Sequence, residues 1–262
     1  MAFSERWRVM NNVQILIPSW SPAKRGRKSG FTLIELLVVI AIIVLLALIA
    51  FPMAQRMIAS GQTAKATGNL RQIGVLMASY TADNNNCLPL LIDWRQLGSS
   101  PDNFQFWQNL LRRQAGLTTS GPANGLWLPQ TFYDPAVTKN QHPWGGFGGN
   151  DSIMLGLGTV PGIDCGVQFG SSRGTPLSRI GSPGKKVLVA TAKDVEGSSW
   201  KSSWYFHGLE YASKGDDSSW PKPDARHGGK ALCLFADGHT EALDLTSLTA
   251  ADRRKYFLRD EN

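Results

Sequence analysis

The chain has 262 residues, a formal net charge of +7 and three cysteines, Cys87, Cys165 and Cys233. Three cysteines allow at most one internal disulfide and exclude a disulfide framework. Five of the seven excess positive charges fall in the first thirty residues, where Arg6, Arg8, Lys24, Arg25, Arg27 and Lys28 face Glu5 alone, so the basic balance does not argue for a nucleic-acid-binding face.

Beyond that basic segment, the only ionisable side chain from Phe31 to Phe51 is Glu35. At 1.5 Å per residue the run can cross a hydrocarbon core of about 30 Å. A secretory signal peptide has a shorter apolar region ending at a small-residue cleavage site; here the small residue, Gly30, precedes the run. Lys24, Arg25, Arg27 and Lys28 on the N-terminal side predict a cytoplasmic N-terminus, with the rest of the chain carried across the membrane. Residues 1–23 are longer than targeting requires, and no physical reason for the extra length emerges.

Glu35 stands out. A carboxylate at the centre of a membrane helix costs about 2.5–3.5 kcal/mol, less near the end, and such groups usually have a partner. A cut after Gly30 would place a new amine on Phe31, one helical turn away. The plainer reading is a glutamate that snorkels to the headgroups.

Gly30-Phe31-Thr32-Leu33-Ile34-Glu35 and the apolar tail resemble the N-terminus of type IV prepilins and type II secretion pseudopilins. The resemblance implies that a prepilin peptidase cuts between Gly30 and Phe31 and methylates the new N-terminus. It also implies that Glu35 serves assembly with other pilin or pseudopilin subunits, and that Pro52 occupies the place of a helix-bending proline. The expected organisation is a cytoplasmic leader over 1–30, a transmembrane half-helix over 31–53, and a periplasmic or extracellular domain over 54–262, anchored by a single pass in the inner membrane.

Past Pro52, Met57, Ile58, Leu70, Ile73, Leu76, Met77 and Tyr80 recur at helical spacing. The pattern predicts one helix from Thr32 to about Ala82, bent near Pro52 and ended by Asp83-Asn84-Asn85-Asn86. A second helix is predicted over Asn103–Gln114, capped by Asp102 or Asn103. From Gly116 to Gly184 the composition predicts loops. Lys186–Ala192 is β-branched and apolar but alternates poorly, which reads as a buried strand; Ser199–Phe206 reads as another. Lys230–Ala236 and His239–Leu245 flank Asp237-Gly238, the signature of a hairpin with a two-residue turn. Thr249 and Asp252 predict a capping box on a short helix ending near Leu258.

His227, nine residues and then Asp237-Gly238 resemble the H-X9-DG element at the C-terminus of a group of bacterial prepilin-type proteins. Asn69-Leu70-Arg71-Gln72-Ile73-Gly74 resembles the helix of the same group. This resemblance implies an architecture more than an activity.

Candidate chemistry is thin. An extended strand separates His227 from Asp237 by some nine residues at about 3.3 Å each, too far for a shared coordination shell. Asp237 and His239 can face one side but offer only two metal ligands. Gly170-Ser171-Ser172-Arg173-Gly174 fits G-x-S-x-G, with Asp194 and His227 in hydrolase order, but Pro176 and Gly181-Ser182-Pro183-Gly184 forbid the helix a nucleophile elbow needs. Asp216, Asp217 and Asp224 are weak calcium candidates, diluted by Lys214 and Lys222; some pseudopilins, which the N-terminus resembles, hold calcium in a C-terminal loop. Cys233 reads as a small buried hydrophobe, and Cys87 with Cys165 is the pair to test for a bond. The tryptophans read mainly as core or loop anchors, with any exposed subset free to stack on sugars or a protein.

The expected fold class is therefore α+β and pilin-like: a long N-terminal helix packed on a small antiparallel sheet with long loops. No catalytic residue, no nucleic-acid partner and, calcium aside, no cofactor is expected. The function expected is a structural subunit of a pilus-like or pseudopilus filament. The alternative is a pilin-anchored binding module for polysaccharide or a secreted substrate.

Overall fold

The computed structural model describes residues 30–93, 105–117, 128–137, 145–154, 174–198, 201–217 and 219–259. Cys165, Ser172, Asp102 and Asn103 lie outside these. The chain separates into two units, Met1–Phe51 and Pro52–Asn262.

In the first unit, helix α1 (Leu33–Asp83) begins, within a residue of its predicted start. Every residue from Phe31 to Phe51 is exposed, and the helix is long and apolar enough to cross a membrane. A helix apolar on all sides and exposed along this whole stretch suits a lipid environment. Pro52 lies inside α1, which continues through it.

The second unit is built on the remainder of α1. Ala66, Asn69, Leu70, Ile73, Gly74, Met77 and Thr81 are buried along one stripe of the helix. Asn85 and Asn86 take left-handed backbone conformations, φ 55° each, which asparagine tolerates better than most residues. The Asn86 amide returns to the Thr81 carbonyl at 2.9 Å, so the asparagine cluster ends the helix.

Two short strands, β1 (Ile92–Asp93) and β2 (Gln105–Phe106), pair antiparallel. Helix α2 (Trp107–Gln114) starts four residues later than predicted, with Phe106 at its N-cap and no side-chain cap. The Phe106–Ile92 pairing keeps the backbone extended up to the helix, and the Trp107 amide donates to the Leu91 carbonyl at 3.1 Å.

The main sheet contains β3 (Phe147–Asn150), β4 (Val187–Lys193), β5 (Tyr205–Phe206), β7 (Ala231–Phe235) and β8 (Thr240–Leu243) in the order β5-β3-β4-β7-β8, with β6 (Lys222–Pro223) pairing to the end of β4. It is mixed rather than wholly antiparallel, because β3 and β5 run parallel. The strand expected over Ser199–Phe206 is reduced to the two residues of β5 among those described. Strand β3 falls where loops were expected. Its glycines are required by its neighbours: a Cβ on Gly148 would sit 2.7 Å from the Ala192 Cβ, and one on Gly149 would sit 2.7 Å from Leu91 Cδ1.

Strand β4 alternates poorly for a visible reason. Its pairing with β7 slips between Val187 and Val189, and this bulge reverses which face later side chains occupy. Val187 belongs to one core cluster with Ala190 and Ala192, whereas Leu188 and Val189 both belong to the other. The first core lies between the sheet and α1, around Leu70, Ile73, Trp107, Phe132 and Phe147. The second lies under α4 (Gly208–Lys214) and α5 (Ala250–Phe257), where Phe257 meets Tyr211 and Phe206 edge-on at 5.0 and 5.8 Å. Cys233 is fully buried in it, as expected of a small hydrophobe, and burial, with Glu241 beyond, pushes its thiol pKa up. The predicted Thr249–Asp252 capping box opens α5. A four-residue helix, α3 (Asp151–Met154), follows β3.

The β7–β8 hairpin is real, but its turn is longer than predicted. Leu234 pairs with Thr240, and the Phe235 amide donates to His239 O at 2.9 Å, leaving Ala236, Asp237 and Gly238 as a three-residue loop. The Gly238 amide closes onto Phe235 O at 3.0 Å. Gly238 then needs φ +91°, the turn-plus-left-handed-residue pattern of three-residue hairpins.

Candidate functional site

Gly30 and Phe31 precede α1 without regular structure, and Phe31 is 76% exposed. Among the described residues, nothing lies within 4 Å of where a Gly30 Cβ would be. Glu35 already has a partner in the uncut chain. Its Oε2 accepts from the Thr32 amide and the Thr32 hydroxyl, each at 2.8 Å, and its own amide donates to Thr32 Oγ1 at 3.3 Å. This is the reciprocal arrangement of a capping box. The Thr-x-x-Glu spacing that announces it stands in the sequence at 32–35, unused in the reading above.

His227 is buried, and both of its ring nitrogens are engaged. Nε2 lies 3.1 Å from Asp134 Oδ2, and Nδ1 lies 3.2 Å from Thr63 Oγ1 on α1. Asp134 is fully buried; its Oδ1 accepts the Ala136 amide at 2.9 Å, and Arg226 Nη1 approaches Oδ2 at 3.6 Å. Arg226 is paired in turn with Asp224 at 2.6 Å and donates to Ala192 O at 2.6 Å. Asp134 and Thr63 were not singled out in the sequence; they lie 93 and 164 residues from His227, and no local spacing could connect them.

Asp237 and His239 share the hairpin tip as expected, Oδ1 to Nδ1 at 2.5 Å. The His239 ring stacks on Phe235 at 4.2 Å. Although burial works against it, hydrogen bonds from His239 and its nearby charge hold the Asp237 carboxyl pKa below the usual range. The segment Asn69–Gly74 of α1 meets two other parts of the unit. Asn69 Nδ2 donates to Tyr133 O at 2.9 Å, Gln72 Oε1 accepts from Thr131 Oγ1 at 3.0 Å, and Arg71 Nε donates to Thr240 Oγ1 at 3.4 Å.

A second buried acid–histidine pair joins Asp151 to His207, Oδ2 to Nδ1 at 3.3 Å. Burial drives the Asp151 pKa up, against the lowering effect of His207, the Gly208 amide and Ser152. His207 Nδ1 also lies at the N-cap of α4, where it accepts the Glu210 amide.

Asp216, Asp217 and Asp224 form no metal-binding group among the described residues. Asp216 Oδ1 lies 3.3 Å from both Lys193 Nζ and Lys222 Nζ, and Asp224 is taken by Arg226. The Asp194 carboxylate accepts from Val195 N and Ser198 Oγ, and His227 lies against Asp134 and Thr63; the third member of that constellation, Ser172, lies outside the described residues. Among the described tryptophans, Trp107 is a core anchor whose Nε1 donates to Trp204 O at 2.9 Å, while Trp220 is 39% exposed beside His207. Cys87 is buried.

Residues 25–51 match the family model of the prokaryotic N-terminal methylation motif. With the apolar helix that begins inside the matched segment, the chain has the N-terminus of a type IV prepilin-like protein. The matched family is a structural motif of pilin type, not an enzyme family. No curated protein and no solved structure matches the chain.

Proposed function

We propose that this protein is made as a precursor, cut after Gly30 by a prepilin peptidase, methylated on Phe31, and assembled with other pilin or pseudopilin subunits into a pilus-like or type II secretion filament. The observation that carries this reading is the methylation motif at residues 25–51 running directly into an apolar helix that is exposed along that whole stretch. Before assembly the helix resides in the inner membrane with the basic leader in the cytoplasm. In the filament, Glu35 neutralises the amine of a neighbouring Phe31. Pro52, inside α1, removes one backbone hydrogen bond and lets the helix adapt during packing.

Co-expression with a prepilin peptidase tests the reading. The product should lose the first thirty residues and carry an N-methylated Phe31 by mass spectrometry, and it should be recovered in a sheared filament fraction. A processed protein that never leaves the membrane fraction would refute the filament role while leaving the processing intact.

A further inference from the structure

The H-X9-DG element lies far along the chain from Gly30, and its two ends converge on α1. His227 reaches Thr63 through Nδ1 and Asp134 through Nε2. At the other end the hairpin loop lies on Gly74: a Cβ there would come within 3.0 Å of Leu234 Cδ1 and 3.6 Å of Gly238 O. Arg71 adds a bond to Thr240 between them. Thr63 and Gly74 are eleven residues apart, about 16 Å along a helix. The five residues of β7 that connect the two ends span about 16 Å as a strand. We infer that the H-X9-DG element is a two-point clasp that sets the register of the spine helix against the sheet, with His227 as the positioning residue that locks the end where α1 emerges from cover.

The chemistry favours a lock at this end. His227 Nε2 faces Asp134 Oδ2 and Nδ1 faces Thr63 Oγ1, so neither ring nitrogen is left over. The Thr63 hydroxyl donates to Ala59 O at 3.0 Å, which ties the ring through Thr63 to the helix's own backbone. Residues 52–61 of α1 are exposed throughout, and burial begins only at Ala66. Thr63 is therefore where the helix is first held. At the far end the fit is steric: Gly74 admits the loop, and Gly238 supplies the left-handed turn that presents its carbonyl.

Hydrogen exchange on the full chain in detergent micelles, read amide by amide along α1, tests this. Thr63→Val, which keeps shape and loses the hydroxyl, should speed exchange over 59–67 about tenfold, the effect of losing one buried hydrogen bond, and leave 74–81 and β4 unchanged. Gly74→Val should do the reverse, loosening 74–81 and the hairpin loop and sparing 59–67. His227→Gln combined with Thr63→Val should add nothing at 59–67 beyond His227→Gln alone. The clasp is overturned if Thr63→Val leaves α1 exchange unchanged, if each variant loosens the whole helix equally, or if the two substitutions at the His227 end are additive. None of these readouts depends on cleavage or filament formation.

Discussion

The carboxylate of Glu35 is held by Thr32, three residues before it, through both the backbone amide and the hydroxyl at 2.8 Å. Glu35 is thus satisfied locally in the full chain, and the proposed cut after Gly30 would create an amine on the residue next to that cap. Glu35→Val should therefore be inserted and cut normally but fall at least about tenfold in the sheared filament fraction, the scale of one lost charge-assisted bond. Glu35→Gln keeps a side-chain oxygen for the cap and loses only the charge. If it assembles like wild type, charge pairing with Phe31 is not what Glu35 supplies. Quantitative immunoblotting of membrane and filament fractions checks both variants.

Gly30 sits in open space ahead of the helix. Among the described residues nothing around it demands a glycine, so under the proposed function the demand falls on the peptidase. Gly30→Leu should leave folding and insertion unchanged and abolish cleavage, seen as a band heavier by the leader. Normal cleavage of this variant would place the cut elsewhere.

Asp151 supplies a pH signature. Its folded-state pKa is raised by burial, whereas the same group in the unfolded chain titrates near about 3.9. Between those two values the native state retains a proton that the unfolded chain has lost, so this group's contribution to stability declines as pH rises through that window. Asp151→Asn should flatten the decline of urea midpoints as pH rises above about 4. A slope that survives the substitution would assign it to another group.

The acidic stretch at 216–224 should not respond to calcium. Although partial burial opposes it, Lys193 and Lys222 hold the Asp216 carboxyl pKa below the usual range, and Lys222 also donates to the Asp216 carbonyl. Thermal unfolding should give the same Tm with calcium and with a chelator. A calcium-dependent rise in Tm would show that these carboxylates leave their lysine and arginine partners for the metal.

Several features were legible from the sequence because each is decided within one or two turns of chain. Glu35 alone among apolar residues announces a membrane helix with one polar requirement. Thr249 and Asp252 announce a helix start, and the apolar runs on either side of Asp237-Gly238 announce a hairpin. What escaped the sequence depended on neighbours far along the chain. Phe147-Gly148-Gly149-Asn150 has the composition of a loop and becomes a strand because β4 and β5 pair with it on either side, while Ala192 and Leu91 leave no room for a Cβ at its glycines. The broken alternation of Val187–Lys193 reflects a bulge that exists only against β7, and the loop between Phe235 and His239 takes three residues where the dipeptide alone suggested two.

The same division runs through the candidate sites. The order of charge and hydrocarbon at Lys24–Phe51 by itself marks a segment able to cross a membrane, because length and polarity along a single segment decide what a membrane accepts, and the motif its residues spell is that of a prepilin-type N-terminus. The tertiary structure alone decided what His227 touches. A buried imidazole must find partners for both nitrogens, and only the folded chain brings Asp134 and Thr63 within hydrogen-bond reach to provide them.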